Sequence, residues 1–316
     1  MRAARVHELG RPPVVEDVAE PTPAMGESVV RVAAAGAGHF DLAVARGEFE
    51  PRPPLPYTPG TDGAGQVVAS EHYRLGTWVR VGGGGLGLRR DGTWAEFAVA
   101  PDDVLQPIPV GVDPPVAASF YVPASAAYFA VHEVGRLRRG ERVAVIGASG
   151  AVGSLAVQLA RLGGASEVVG VVSRPEKAEA VVSATSVAVG RGEQVVPQLR
   201  QDGTGVDLLV DTVGGPGLSE LVPALAGGGR IVVVGYTAGR ETCFDLPTLL
   251  DADVSLLPVN LFRRPARARE AATLVLEMMR DGSVSLPVTT FSLDDLSSAL
   301  AALSKGSTIG RVVLLP

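Results

Sequence analysis

The sequence holds a single cysteine, Cys243, among 316 residues. One thiol cannot close an internal disulfide, and it cannot supply the thiolates of a structural zinc ribbon. Aromatic residues are scarce as well, at 5%, which argues against a stacking platform for nucleic-acid bases. There is no excess of positive charge. The formal net charge is −6, and the basic residues are dispersed apart from "GRLRRGER" at 135–142 and "FRRPARAR" at 262–269. Both clusters flank expected helix ends and read as solvated faces, so no nucleic-acid partner is expected. No apolar run approaches the roughly 18 residues of a membrane span, and "MRAARVHELG" has no hydrophobic leader core. The expectation is a soluble cytoplasmic protein with no membrane partner.

What the sequence does have is apolar content and glycine. At 46% hydrophobic it can bury a large core, and its length suits two domains. Up to about residue 110, short β-type runs alternate with turn residues: "ESVVRVAAAG", "GAGQVVAS", "TWVRVGG" and "TWAEFAVAP". Such spacing predicts a β-barrel-like domain. The glycine-rich "GGGGLGLRRDG" at 82–92 reads as a flexible loop. From about residue 118 apolar strands alternate with helix-period segments: "RVAVIG", "EVVGVVS" (167–173), "VDLLVDTVG" (206–214), "GRIVVVGY" (229–236) and "DVSLLPV" (253–259). Alternation of this kind predicts an α/β fold with a parallel sheet covered on both faces. A further helix is expected from Pro265 to before Gly282, with Ala271, Leu274, Val275 and Met278 on its apolar face, and another after the capping signal "SLDD" at 292–295. The expected domains are residues 1–118, completed by 263–316, and residues 119–262.

The chemistry-bearing motif is "VAVIGASGAVGSLAVQLARLGGA", Val143 to Ala165. Its glycines at 147, 150 and 153 sit between an apolar strand and a helix whose Val152, Leu155, Ala156, Leu159 and Leu162 share one face. A strand, a tight glycine turn and a helix let a pyrophosphate approach bare backbone and meet the amides of a helix N-terminus. The expected contacts are Gly147, Ser149, Gly150, Ala151, Val152 and Gly153. Where the second strand ends, a site for NAD would place an acid on the ribose hydroxyls. Here stand Ser173, Arg174 and, one turn on, Lys177. A hydroxyl and two cations suit a 2′-phosphate, so NADPH is the expected cofactor. The competing reading of the two cations is ordinary surface charge, although cations at a helix start are poorly placed for its dipole unless an anion joins them.

Taken in order, "LPYTPGTDGAGQVV" (55–68), "GTWAEFAV" (92–99), the glycine motif, "GVDLLVDTVGG" (205–215), "GGRIVVVG" (228–235) and the terminal "GRVVLLP" resemble the medium-chain dehydrogenase/reductase superfamily, most of all its zinc-free quinone oxidoreductase and enoyl reductase branch. The resemblance spans nearly the whole chain. It implies a GroES-like β-barrel catalytic domain for the substrate, a Rossmann doubly wound parallel-sheet domain for NADPH, and a cleft between them. It further implies that Gly235 and Tyr236 run along the nicotinamide ribose and that Asn260 and Phe262 lie near the nicotinamide end. Zinc-dependent members carry a cysteine in the loop reading here "AAGAGHFDLA" and a His-Glu pair where this sequence has Thr61-Asp62. His39 and Asp62 alone do not make a catalytic zinc site, which wants three protein ligands; no metal is expected. Zinc-free members usually place an Asn where Gly38 stands and a Thr where Ala126 stands.

The chemistry so implied is hydride transfer from NADPH to a quinone or an activated alkene. An enolate product needs a proton, and Tyr57, His39, Asp41 and Tyr128 are the candidates. Each of the first three has a competing structural reading: Tyr57 as barrel packing, Asp41 as a helix cap, His39 as a hydrogen-bonded structural histidine. For a quinone, solvent protonation suffices. Alternatives remain a pathway-specific enoyl reductase acting on a thioester or polyketide-like intermediate, and a protein that binds NADPH without turnover. Asp211, ending "LLVD", reads as structural. The apolar "DVSLLPV" would make an exposed sheet edge, and such an edge invites pairing with its copy in a homodimer.

Overall fold

The computed structural model describes residues 1–50, 53–119, 121–200 and 203–316. The chain divides into two compact units, Met1–Val122 with Pro287–Pro316, and Pro123–Leu286.

The first unit is built on a seven-stranded mixed sheet. Its organiser is the eleven-residue strand Glu27–Ala37. One edge pairs antiparallel with Asp62–Ala69; the other takes Phe97–Pro101 near its start and Arg311–Leu315 near its end. The terminal strand Arg311–Leu315 also pairs in parallel with Val288–Ser292. With a neighbour on each side its first four residues are buried, which is why "RVVLL" reads as an apolar run rather than an alternation. The glycine-rich stretch after residue 82 is a tightly turned segment whose Leu86 and Leu88 enter two separate core clusters, so it is packed rather than the bare loop its composition suggests.

The second unit is a six-stranded sheet in which every pair is parallel. In chain order its strands are Arg142–Ile146, Glu167–Val172, Ser186–Val189, Val206–Asp211, Leu225–Val233 and Ser255–Pro258. Numbered one to six they lie side by side as 3-2-1-4-5-6, the doubly wound order in which ligands bind where the winding reverses. The third strand was not expected from the sequence, because it has only four residues, too few for periodicity to register. Helix Pro265–Arg280 belongs to this unit, so the chain returns to the first unit at Pro287 and not near residue 263. The cause is local bonding: Ser125 Oγ donates to the Ala268 carbonyl at 2.7 Å, Arg267 pairs with Glu133 at 2.6 Å, and the Gln158 amide both donates to and accepts from the Ser285 backbone at 2.8 Å. The buried face of this helix is Ala268, Ala271, Ala272, Val275 and Leu276. Leu274, expected on it, is 43% exposed. After Ser292 Oγ accepts from Asp294 N at 3.2 Å, the second expected helix runs Leu296–Ser304.

Candidate active site

The glycine loop lies at the carboxyl end of the first parallel strand, at the reversal point between Arg142–Ile146 and Val206–Asp211. Its three glycines do three different jobs. Gly147 has φ +78°, and a Cβ there would lie 2.9 Å from Val213 Cγ2 and closer still to Thr212 Oγ1. Gly153 lets helix Ala151–Leu162 sit directly on the turn, since a Cβ there would come 2.7 Å from the Gly147 carbonyl carbon. Gly150 is the helix N-cap, and a Cβ there would meet only the Gly147 oxygen, at 3.3 Å. The space over Gly150 is thus open, and the first-turn amides that follow have no carbonyl partner within the helix. A diphosphate fits that geometry: bare backbone, amides pointing outward, and the positive end of a helix dipole.

The structure places the other expected nucleotide residues after the carboxyl ends of strands in the same sheet. Ser173, half-buried, and exposed Arg174 follow strand two, and Lys177 is half-buried in the short 3-10 turn Pro175–Ala180. Arg174 Nε lies 3.6 Å from Glu176 Oε1. Burial pushes the Lys177 ammonium below its ordinary range, and the positive charges of Arg174 and Arg191 push it further. Arg191 was not found from the sequence. It follows the third strand, Ser186–Val189, and recognising that short strand would have placed it beside strand two. Gly235 follows strand five, and its Cβ would collide with the Thr212 backbone. Tyr236 is exposed. Asn260 and Phe262 follow the edge strand; Asn260 Oδ1 accepts from Arg263 N at 3.2 Å, and Phe262 is exposed. Asp211 caps the turn after strand four, its carboxylate accepting from Val213 N and Gly214 N at 2.9 Å, and burial raises its pKa. Thr212 Oγ1 donates to the Ile146 carbonyl at 2.7 Å and so ties the two strands at their carboxyl ends.

In the first unit the candidate acids separate by environment. Asp41 is the third residue of helix His39–Ala45, and its carboxylate accepts from Gly38 N at 2.9 Å and Thr61 N at 3.1 Å. It reaches back to the backbone that precedes the helix, as a capping residue at this position does. Burial raises its pKa against the pull of Arg311 and those two amides. Tyr57 is 1% exposed, packed with Val6, Val44, Ala45 and Leu88. Its hydroxyl finds no hydrogen-bond partner among the described residues. Burial, then the charge of Asp41, push the phenol well above its ordinary pKa. His39 is exposed, and it is the first residue of the same helix. In the second unit Tyr128 is half-buried, with its ring 4.8 Å from that of His132. Ala126 is buried in helix Tyr121–Tyr128.

Asp62, the acid of the Thr61-Asp62 pair, is otherwise engaged. Asp62 is 1% exposed and its Oδ2 accepts from Arg311 Nη2 at 3.1 Å. Burial pushes its carboxyl up to about 7, and Asp41 adds to the rise while Arg311 opposes it. Among the described residues no three His, Cys, Asp or Glu side chains gather where a metal could sit.

Two family models match the chain: "Alcohol dehydrogenase GroES-like domain" over residues 24–110 and "Zinc-binding dehydrogenase" over 151–277. A quinone oxidoreductase-like protein 2 homolog of Nematostella vectensis is 30% identical over 99% of this chain and 88% of its own length. A phenolphthiocerol/phthiocerol polyketide synthase of Mycobacterium tuberculosis is 31% identical over 99% of this chain, which spans 14% of that protein. The mycobacterial Rv1454c, solved in complex with NADPH, superposes with a TM-score of 0.89 at 28% identity, each chain covered in full. The order of strands, the three-glycine turn and these matches agree: the chain belongs to the medium-chain dehydrogenase/reductase superfamily, in its quinone oxidoreductase-like branch.

Proposed function

We propose that this protein is an NADPH-dependent reductase that delivers hydride to a quinone or an activated alkene without a metal. The observation that carries the reading is the pairing of an open glycine turn over Gly150 with Ser173, Arg174 and Lys177 after the second strand, where a site for NAD would place an acid, and with Arg191, whose charge reaches Lys177. Gly147, Ser149, Gly150, Ala151, Val152 and Gly153 hold the diphosphate through backbone amides. Ser173 and the three cations hold the 2′-phosphate, where charge-assisted donors offset its desolvation. Gly235, Tyr236, Asn260 and Phe262 line the path toward the nicotinamide. The bound dinucleotide supplies a hydride to an electron-poor carbon conjugated with a carbonyl. The chain's own contribution is position and exclusion of water. Of the four candidate acids, Asp41 and Tyr57 serve the fold, Tyr128 lies half-buried against His132, and His39, the one that is exposed, delivers the proton an enolate requires; a quinone that has accepted hydride takes its one remaining proton from water. Asp62 is committed to Arg311 and so does not serve as a zinc ligand beside His39.

A second reading concerns the acceptor. The similarity to a polyketide synthase along 99% of this chain supports an enoyl thioester of a polyketide-like intermediate as the alternative acceptor, beside the quinone that the similarity to quinone oxidoreductases supports. The protein acts as a homodimer through the edge strand Ser255–Pro258, whose Leu256 is exposed. Its one thiol, free at Cys243, suits the reducing cytoplasm to which we assign it. The test is loss of NADPH absorbance against a panel of 1,4-quinones, enones and enoyl thioesters, with NADH in parallel. Turnover of one class with NADPH preferred supports the reading. Tight NADPH binding with no turnover of any acceptor would make the protein a binder instead.

A further inference from the structure

The terminal strand carries one long cation to the base of the loop that bears His39. Val312 pairs with Ala37 and Val313 with Gly36, so Arg311 falls beside Gly38. The arginine is 8% exposed, and its Nη2 donates to Asp62 at 3.1 Å. The two positions that face the guanidinium, Gly36 and Gly38, have no side chains. A Cβ at Gly36 would stand 2.9 Å from Nη2 and 3.3 Å from Nε; one at Gly38 would stand 3.2 Å from Cζ and closer still to Nη1. Gly38 has φ −149°, an extended conformation open to any residue. Space, and not backbone geometry, therefore demands glycine at 38. Asp41 feels the same cation, while its carboxylate holds Gly38 N and Thr61 N. Gly36, Gly38, Asp41 and Asp62 are thus grouped about one guanidinium.

Shifting the tip of a surface arginine is easy, but this one is buried and paired. Displacing it strands the Asp62 carboxyl, a group already costly to bury. The entry to helix His39–Ala45 is consequently held from beneath by a residue 273 positions away, since 311 − 38 = 273.

We infer that Arg311 is a positioning residue for the reduction: clamped by Asp62, its guanidinium occupies the volume a side chain at position 38 would fill and fixes the segment Gly36–Asp41, and with it His39. This rests on the reductase reading above, with His39 as proton donor. Arg311 touches no substrate in this scheme and acts only through the loop.

The experiment compares Arg311→Met, Arg311→Lys, Gly38→Ala, Arg311→Ala and the pair Gly38→Ala/Arg311→Ala, each assayed for Tm, NADPH affinity, kcat and KM with an enone. Arg311→Met should leave NADPH affinity within about twofold, because the nucleotide residues belong to the other unit. Its kcat with the enone should fall by about tenfold or more, as expected when a reacting group is misplaced by a fraction of an ångström. Arg311→Lys should recover part of that loss. Gly38→Ala should lower Tm in the wild-type background and far less in the Arg311→Ala background, where the space is free. This cycle reads the packing without any turnover, so it stands even if Arg311→Met folds poorly. Unchanged kcat in folded Arg311→Met overturns the inference, as does a Gly38→Ala penalty that is the same with and without Arg311. Wild-type protein that reduces no acceptor, together with a strongly coupled cycle, would instead bring down the reductase reading while upholding the contact.

Discussion

Replacing Arg191 by alanine removes one of three cations from the two turns that follow strands two and three. In the free protein Arg191 and Arg174 both depress the Lys177 ammonium, so each raises the positive potential the others feel. The groups are wholly or partly exposed, which calls for a water-like dielectric. Two unit charges at about 4 Å then attract by about 1 kcal/mol, and a phosphate monoester carries about −1.5 to −2 charges. Losing one cation should therefore cost NADPH binding about 1.5–2 kcal/mol, or about 10- to 30-fold in Kd. NADH has no phosphate there and should change by less than about twofold. Calorimetric or fluorescence titration with both nucleotides, at low salt and again at about 0.3 M salt, makes the comparison, and the NADPH effect should shrink as salt screens it. Arg174→Asp should act in the same direction and more strongly, because it reverses a charge. Equal weakening of both nucleotides by Arg191→Ala, or none of either, would remove the 2′-phosphate from this cluster.

Gly153→Ala puts a methyl against the Gly147 backbone and should lower stability by about 2–3 kcal/mol, read from chemical denaturation, with nucleotide binding lost as the turn is pushed open; a stable, tightly binding variant would refute the packing argument. Asp62 titrates at about 7 in the folded chain against a reference of 3.8, so the folded state binds more protons between those values, and its contribution to stability falls as pH rises from about 4 to about 7. The Tm of the wild type should accordingly drop relative to Asp62→Asn between about pH 5 and pH 8, and a constant difference would place the Asp62 carboxyl in the ordinary range. Leu256→Lys on the exposed edge strand should convert the proposed dimer to monomer in light scattering; an unchanged mass, or a monomeric wild type, would exclude that edge as the interface.

Five of the six strands in the second unit could be read in their order from the sequence, because each lies in its own apolar run. The glycine turn was equally legible, since its three requirements lie within seven residues, Gly147 to Gly153. Strand Ser186–Val189 escaped because four residues hold too little pattern, and Arg191 escaped with it. The four candidate acids could not be ranked, because their difference is one of burial: Tyr57 and Asp41 are enclosed, Tyr128 is half-buried and His39 is exposed.

By itself the sequence determined the strand, bare turn and helix around Gly147, Gly150 and Gly153, and that Ser173 and Arg174 rather than an acid follow the second strand. Both are local, set by propensity and spacing within a few turns of chain. Only the tertiary structure decided that Arg191 joins Arg174 and Lys177, that Arg311 lies beneath Gly38, and that the chain rejoins its first unit at Pro287. Those facts come from strand pairings between residues far apart in sequence, and no local pattern encodes which strands will meet.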